Sequence, residues 1–478
     1  MKLKILLKNG AILTLNRQDQ YLNKGDLLIN GDKIEKIAEY IEMDDSIGQV
    51  IDCQGKLIMP GLVNSHFHSD ETFFKAAYDR LPLEIWRLLS CPPMAYGPFS
   101  ERTLYLRTML GAIEFIKCGV TCVQDDVSDY PQPSVAGYSA ICSAYRDLGI
   151  RANVSMSACD REMCDHLPYA REMVPQEWQD KLAGSMSSEA IIELYHQIIE
   201  QWHNKGNIKV ILSTSAPQRC SDAHLLAVEE LARKKDLAVH THILETRLQR
   251  VTGTEFYGKS IIKHIADLGI MSERMTIAHS VWVDDEDIEL MAKAGVSIAH
   301  NPVSNLKLGS GLAHLNKLLE AGINVVLGTD GMNSNDELSI FETMKFASLL
   351  SRLTTPDYNK WPTAGKMLQL AVNNPAKSLR RTGEIGCLAE GKKADLLILN
   401  LKNNTLYTPF NELKNHLVYC ENGSSVETVI VNGQLIMHNR KLLTIDEESI
   451  LAEVQEHAAE LKKSLQDTNR QNLALQPY

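Results

Sequence analysis

Two histidines stand two residues apart in Pro60-Gly61-Leu62-Val63-Asn64-Ser65-His66-Phe67-His68, directly behind a short apolar run. Side chains at i and i+2 of a strand share a face, so both imidazoles can be aimed at one point. Imidazole is the commonest protein ligand for a metal ion. A lone His-x-His is equally a pair of hydrogen-bonded loop residues. The pattern gains weight because it recurs downstream as His240-x-His242-x-x-Glu245, then His279, then Thr329-Asp330-Gly331, each behind a strand-like run. Histidines and one aspartate around a divalent ion, with a position left for water, make a catalytic rather than a closed structural site. Such an ion brings the pKa of its water to about 7. Glu245, three residues past His242, is placed to take that proton and pass it on.

These residues need elements that gather them. From residue 57 the chain repeats strand, loop, helix. Strands are expected at 57–64, 120–124, 151–156, 208–213, 238–242, 275–279, 296–300 and 323–327. The helical patterns between them often stop at glycine, as at Gly149, Gly269 and Gly295. Eight strands alternating with helices predict an α/β fold, a closed (β/α)8 TIM barrel over 57–383, whose strand C-termini share one mouth. His66 and His68 then follow strand one, His242 ends strand five, His279 strand six, and Asp330 follows strand eight. His300, Asn301 and Ser304 end strand seven and are candidates for substrate contact or loop capping. Asp125 and Asp126 end strand two, either solvated, salt-bridged or touching substrate. His240 shares a face with His242 but lies deeper, as an interior residue or a support for a ligand. The remaining histidines, such as His166 and His203, read as surface residues. The segment 159–187 breaks the rhythm and reads as an insertion or lid, since loops that long are usually functional.

Residues 1–56 hold short strands with Asn-Gly and Gly-Asp turns, which is hairpin chemistry. Strand signals return at 394–400, 418–420 and 426–432. The simplest arrangement is a small composite β-sandwich from 1–56 and 384–440, followed by a charged helix and tail over 441–478.

The bulk composition sets limits. The chain has 478 residues, is 44% hydrophobic, and carries 49 Lys plus Arg against 60 Asp plus Glu, a formal net charge of −11. An acidic chain without basic blocks speaks against nucleic acid or an anionic membrane as partner. The basic start of the chain is broken at Lys8 and Asn9, unlike a signal peptide, and no run approaches 18 apolar residues. Ten cysteines lie scattered in apolar stretches without a Cys-x-x-Cys pair, as expected of free thiols in a reducing cytoplasm.

With these motifs in hand a resemblance can be stated. Pro60-Gly61-Leu62 leading to His66-x-His68, Thr241-His242-x-x-Glu245, Ala278-His279-Ser280, Ala299-His300-Asn301-Pro302-x-Ser304-Asn305 and Gly328-Thr329-Asp330-Gly331 are similar to the amidohydrolase superfamily. More narrowly, the chain resembles its cytosine, guanine and S-adenosylhomocysteine deaminase and triazine hydrolase branch. The resemblance implies His66, His68, His242 and Asp330 as metal ligands and Glu245 as proton shuttle. It makes His279 the residue that bonds the hydroxide or polarises the substrate, and Glu245, His279 and Asp330 the catalytic group. His279, His300, Asn301 and Ser304 become candidate substrate contacts. Two-metal relatives use a lysine at the mouth of strand four; here Lys209 lies at that strand's start, which implies one divalent ion, zinc by default with iron as the alternative. The implied reaction is attack of metal-bound hydroxide on an N-heterocycle, a purine, pterin, pyrimidine or triazine-like small molecule, releasing ammonia. Removal of a chloro or alkylamino group, opening of a cyclic amide, or a non-catalytic scaffold on the same barrel are the alternatives. Adenosine-type relatives grip ribose with an acid after strand one; residues 89–98 carry none, and Glu84 lies just upstream. A cytoplasmic homo-oligomer, dimer or larger, is the expected setting.

Overall fold

The structure is a computed structural model that describes residues 4–90, 99–129, 132–176, 179–180 and 185–472. In chain order the strands are β1 (Lys4–Leu13), β2 (Tyr21–Asn30), β3 (Lys33–Ala38), β4 (Ile47–Asp52), β5 (Lys56–Pro60), β6 (Leu62–Phe67), β7 (Val120–Val127), β8 (Arg151–Met156), β9 (Ile208–Val210), β10 (Leu212–Ser213), β11 (Val239–Ile243), β12 (Met275–His279), β13 (Ser297–His300), β14 (Asn324–Leu327), β15 (Leu396–Asn400), β16 (Val426–Val431), β17 (Gln434–His438) and β18 (Lys441–Leu442).

Strands β6 to β14 are parallel and alternate with helices, as the strand–helix rhythm predicts. They form a four-stranded sheet, β6-β7-β8-β9, and a five-stranded one, β10-β11-β12-β13-β14. The expected fourth strand is divided between the sheets. Ile211 sits at the division and its N–H donates to the Val154 carbonyl at 3.0 Å, while the next N–H, of Leu212, donates to Ala238 at 2.9 Å. Across the opposite seam the Asp330 N–H donates to the His66 carbonyl at 3.0 Å. Strands β6, β7, β8 and β12 are buried along their whole length, as parallel strands covered on both faces are. Serine hydroxyls cap many of the outer helices: Ser100, Ser134, Ser187, Ser221, Ser260 and Ser339 each accept a backbone N–H of the first turn. Gly149 and Gly295 close two helices with left-handed backbone, φ 93° and 73°.

Both ends of the chain meet in a nine-stranded sheet of order β18-β17-β16-β15-β5-β1-β2-β3, with β4 also paired to β1. Side chains alternate between its faces. Ile58, Leu396, Ile398 and Ile430 join Leu7, Ile12, Leu27 and Ile29 in a separate small core. Leu57, Met59, Leu397, Leu399, Val429 and Val431 point the other way, into the main core around the parallel strands.

Several expectations need correction. The run 57–64 is two strands: β5 belongs to the nine-stranded sheet, and only β6 enters the parallel one. Residues Lys4–Leu13 form one strand, with bulges in its pairing to β2. Residues 418–420 lie in a helical turn, His416–Cys420, because Leu417 and Val418 bury on one side of a turn and do not extend a sheet. Of the expected lid, the described part forms the short turns Met163–Asp165 and Ala170–Met173; residues 177–178 and 181–184 lie outside the described residues, as do 91–98. The C-terminal helix runs Glu447–Asn472.

Candidate metal centre

The C-terminal ends of the parallel strands bring His66, His68, His242, His279, Glu245 and Asp330 together. One ligand atom from each of His66, His68 and Asp330 lies within 4.8 Å of the others; the same holds for His66, His242 and His279, and for Glu245, His279 and Asp330. The Nε2 atoms of His66 and His68 are each 3.4 Å from Asp330 Oδ1. His279 Nε2 is 3.8 Å from Asp330 Oδ2 and 3.7 Å from Glu245 Oε2.

Each imidazole is turned by its far nitrogen. His68 Nδ1 lies 2.6 Å from the Asp126 carbonyl, His242 Nδ1 2.7 Å from the Ser215 carbonyl, and His279 Nδ1 2.9 Å from Asn305 Oδ1. A carbonyl only accepts, so these Nδ1 atoms carry hydrogen and the Nε2 lone pairs face inward. His68 Nε2 and His242 Nε2 then face one another at 3.1 Å. Two lone pairs at that distance repel unless a proton or a metal ion lies between them. His66 Nε2 is buried with no hydrogen-bond partner, pointing at the same place. A divalent ion satisfies all of these atoms at once, so the donor set fits one.

The electrostatics agree. Burial lowers the pKa of His66 to about 4, and burial with the neighbouring imidazoles holds His242 well below its ordinary value, so both are neutral with a lone pair to offer. At His68 burial also disfavours charge, but Asp330, Glu71, Asp70 and Asp126 outweigh it and raise the pKa to about 10. The field at this point calls for positive charge. Asp330 is ionised: burial opposes it, and His66, His279 and His68 hold its pKa well below the usual carboxylate range. Burial raises Glu245, which suits a group that must take up a proton near neutral pH. His279 and Asp330 adopt left-handed backbone, φ 73° and 65°, conformations that side-chain-bearing residues adopt at a cost of order 1–3 kcal/mol and that cluster at functional sites.

His240 is not a loose interior residue. Its Nε2 is 2.9 Å from His66 Nδ1, and its Nδ1 meets the Gln124 side-chain amide. With the amide oxygen of Gln124 turned toward it, His240 Nδ1 donates, His240 Nε2 accepts from His66, and the His66 Nε2 lone pair is free. Asp125 and Asp126 are fully buried, not solvated. Asp125 accepts the Ser69 N–H at 2.9 Å and the Tyr145 hydroxyl at 2.7 Å, fixing the turn after His68. Ser304 donates to Asp330 Oδ2 at 2.6 Å, and Asn301 Nδ2 lies 3.4 Å from His279 Nδ1. His300, Asn301 and Ser304 are buried behind the ligands and do not line the cavity. His166 and His203 are half-buried rather than surface residues. The cavity over the centre is lined by His68, His242, Glu245, His279 and Asp330, and also by Glu71, Trp86, Arg87, Arg219 and Ser334, which motif reading passed over. Glu71 and Ser334 had one signal in the sequence, lying three and four residues beyond His68 and Asp330; Trp86, Arg87 and Arg219 had none.

Residues 57–436 match the model of the Amidohydrolase family. A 5'-deoxyadenosine deaminase of Methanosarcina mazei is 34% identical over 459 residues, covering 96% of this chain and 98% of its own. A 5-methylthioadenosine/S-adenosylhomocysteine deaminase of Thermoanaerobacter pseudethanolicus is 32% identical over 461 residues, covering 96% and 99%. Among solved structures, the atrazine chlorohydrolase of Arthrobacter aurescens complexed with zinc superposes with TM-score 0.85 at 26% identity, covering 95% of this chain and 100% of that one. The chain belongs to the amidohydrolase family.

Proposed function

We propose that this chain is a one-metal aminohydrolase that deaminates a 6-aminopurine carried on a small nucleoside-like molecule. The observation that carries the reading is the convergence of His66, His68 and His242 Nε2 with Asp330 Oδ1 on one point, with the buried acid Glu245 beside it. We assign His66, His68, His242 and Asp330 as ligands. Zinc suits three imidazoles and a carboxylate, and it is the metal bound in the solved neighbour above. When bound, the ion supplies the Lewis acidity that makes water a nucleophile at neutral pH.

The protein's residues do the rest. Glu245, a raised-pKa carboxylate, takes the proton from the attacking water and delivers it to the ring nitrogen next to the amino-bearing carbon. His279, fixed by Asn305, presents its Nε2 between Glu245 and Asp330 and stabilises the charge that develops there. Asp330 takes the remaining hydroxyl proton and returns it to the amino group, which leaves as ammonia while the ring carbonyl forms, and Ser304 holds Asp330 in line. The purine assignment leans on the deaminases above, which cover nearly the whole chain. Glu84, whose Oε1 accepts from Thr246 Oγ1 at 2.6 Å, stands beside Leu83, Trp86 and Arg87 of the cavity wall and is the acid we assign to sugar hydroxyls.

We also infer that the two parallel sheets are halves of one closed (β/α)8 barrel, supported by the hydrogen bonds at Ile211 and Asp330 across both seams. The nine-stranded sheet with its own small core supports the composite β-sandwich over 1–56 and 384–440.

The test is ammonia release by the zinc-loaded protein across 6-aminopurine nucleosides, guanine, pterins, pyrimidines and triazines. Ammonia from the 6-aminopurines is the expected result. Release of chloride or an alkylamine from a triazine, with no ammonia from any purine, would replace this reading with the hydrolytic alternative.

A further inference from the structure

A cavity of about 540 Å³ opens at the N-terminal ends of β9 and β11, at the end of the parallel strands opposite the metal centre. Ligand sites commonly run from about 300 to 1,000 Å³. Its floor is apolar: Val210, Ile211, Leu237, Ala238 and Leu379 are all buried. Four cations line it, Lys209, Lys235, Lys377 and Arg380, against the carboxylates of Asp236 and Glu273. That is a positive wall on a chain whose formal net charge is −11.

The inner charge of this wall is matched and the outer charge is not. Lys209 Nζ donates to Glu384 Oε1 at 2.6 Å and to the Arg380 carbonyl at 3.1 Å. The second bond holds Arg380 in left-handed backbone, φ 52°, a costly conformation for a residue with a side chain. Arg380 Nη2 donates to Asp236 Oδ1 at 2.5 Å, but that carboxylate is 74% exposed, and such surface pairs hold weakly. Among the described residues the Arg380 Nε and Nη1 make no hydrogen bond, and the ammonium groups of Lys235 and Lys377 make neither a hydrogen bond nor an ion pair. The potential at the floor agrees with the geometry. Burial, with the charges of Lys209 and Arg381, lowers the pKa of His203; burial, with Arg381, lowers that of Lys209 although Glu384 opposes it.

Two ammonium groups and a guanidinium with N–H groups to spare suit a dianion with several acceptor oxygens. A phosphate group carries about −1.5 to −2 charges and three such oxygens. Phosphate alone would leave the apolar floor in water, whereas a phosphate ester also covers it. We propose that this cavity is a second binding site, for a small organic phosphate of sugar-phosphate or nucleotide size. Lys235, Lys377 and Arg380 hold its phosphate, and its body lies over Leu237 and Leu379.

The experiment is calorimetry on the zinc-loaded protein with ribose 5-phosphate, ribose and inorganic phosphate as probes. None of the three has an aminated ring, so none can be deaminated. Ribose 5-phosphate is expected to bind more tightly than either of the others, and more weakly as salt is raised. Lys377→Glu, at an exposed side chain without a partner, is expected to weaken it at least about 10-fold, with zinc content and circular dichroism unchanged. Lys345→Glu changes the net charge equally on a helix that does not line the cavity, and is expected to leave the affinity as it was. Absence of ribose 5-phosphate binding at low salt would overturn the proposal, as would equal weakening by Lys377→Glu and Lys345→Glu. Inorganic phosphate bound as tightly as the ester would overturn the assignment of an organic ligand.

Discussion

The two ends of the parallel strands treat buried charge in opposite ways. At their N-terminal ends every buried charge faces its opposite. Arg151 Nε and Nη2 bind Asp395 Oδ2 and Oδ1 at 2.7 and 2.9 Å, a bidentate pair with both side chains 3% exposed. Arg381 binds Asn153 and Glu384 at 2.7 Å, and Lys209 binds Glu384 at 2.6 Å. At the C-terminal ends, imidazole lone pairs face one another and two carboxylates share one point with them. The first arrangement is complete as protein and locks the β8 end to β15. The second is complete only with a cation. The same strands thus carry a brace at one end and a reactive centre at the other, the division of labour common to this architecture.

The comparison can be broken by single substitutions. His242→Ala should abolish both zinc binding and turnover while leaving the circular-dichroism spectrum intact; retention of a full equivalent of zinc would remove His242 from the ligand set. Glu245→Gln removes no ligand, so elemental analysis should still find zinc while turnover falls by at least roughly 10²–10⁴-fold. Turnover within a few fold of the parent would defeat the mechanism. At the other end the effect should appear in stability alone. Arg151→Ala leaves Asp395 buried without its partner and should cost about 3–5 kcal/mol in denaturant unfolding, with zinc content unchanged.

Two smaller effects sharpen the contrast. His240→Ala should leave the four ligands in place but weaken zinc by about 10- to 100-fold in chelator competition, because His66 loses the partner that orients it. Unchanged affinity would return His240 to a packing role. For acid sensitivity, burial favours the neutral form of Glu384, but Arg381 and Lys209 outweigh it and lower its pKa to about 2. An unfolded glutamate titrates near about 4.3. The stabilisation is therefore present above about pH 4.3 and is lost as pH falls toward about 2. Glu384→Gln should flatten that limb of the stability profile; an unaltered limb would locate the acid sensitivity elsewhere.

How much of this was readable in advance depended on the kind of residue. His66, His68, His242, His279 and Asp330 stood out because each ends an apolar run, and strand ends in an alternating α/β chain converge by topology. Glu71, Gln124 and Ser334 did not, because a buried polar residue looks the same in sequence as an exposed one until its neighbours are known. The run 57–64 misled for a related reason: continuous apolar character says a strand is covered, not which sheet it joins. The sign was Gly61, where a Cβ would lie 2.0 Å from Thr121 Oγ1, so that only glycine lets the chain pass from β5 into β6. For Asp125 and Asp126 the sequence left solvated, salt-bridged and substrate-touching roles open; the structure buries both, with a tyrosine and a serine hydroxyl answering them.

Strand β5 has β1 on one side and β15 on the other. During synthesis β1 is already in hand when β5 leaves the ribosome, but β15 is more than 300 residues away. At about 5–20 residues per second, β5 waits on the order of 20–70 s with one edge open. An open apolar edge is a template for pairing with another chain. The strand that leads into β6 and its metal-facing histidine therefore keeps an open edge on the nascent protein, and newly made chains must be kept apart until β15 arrives.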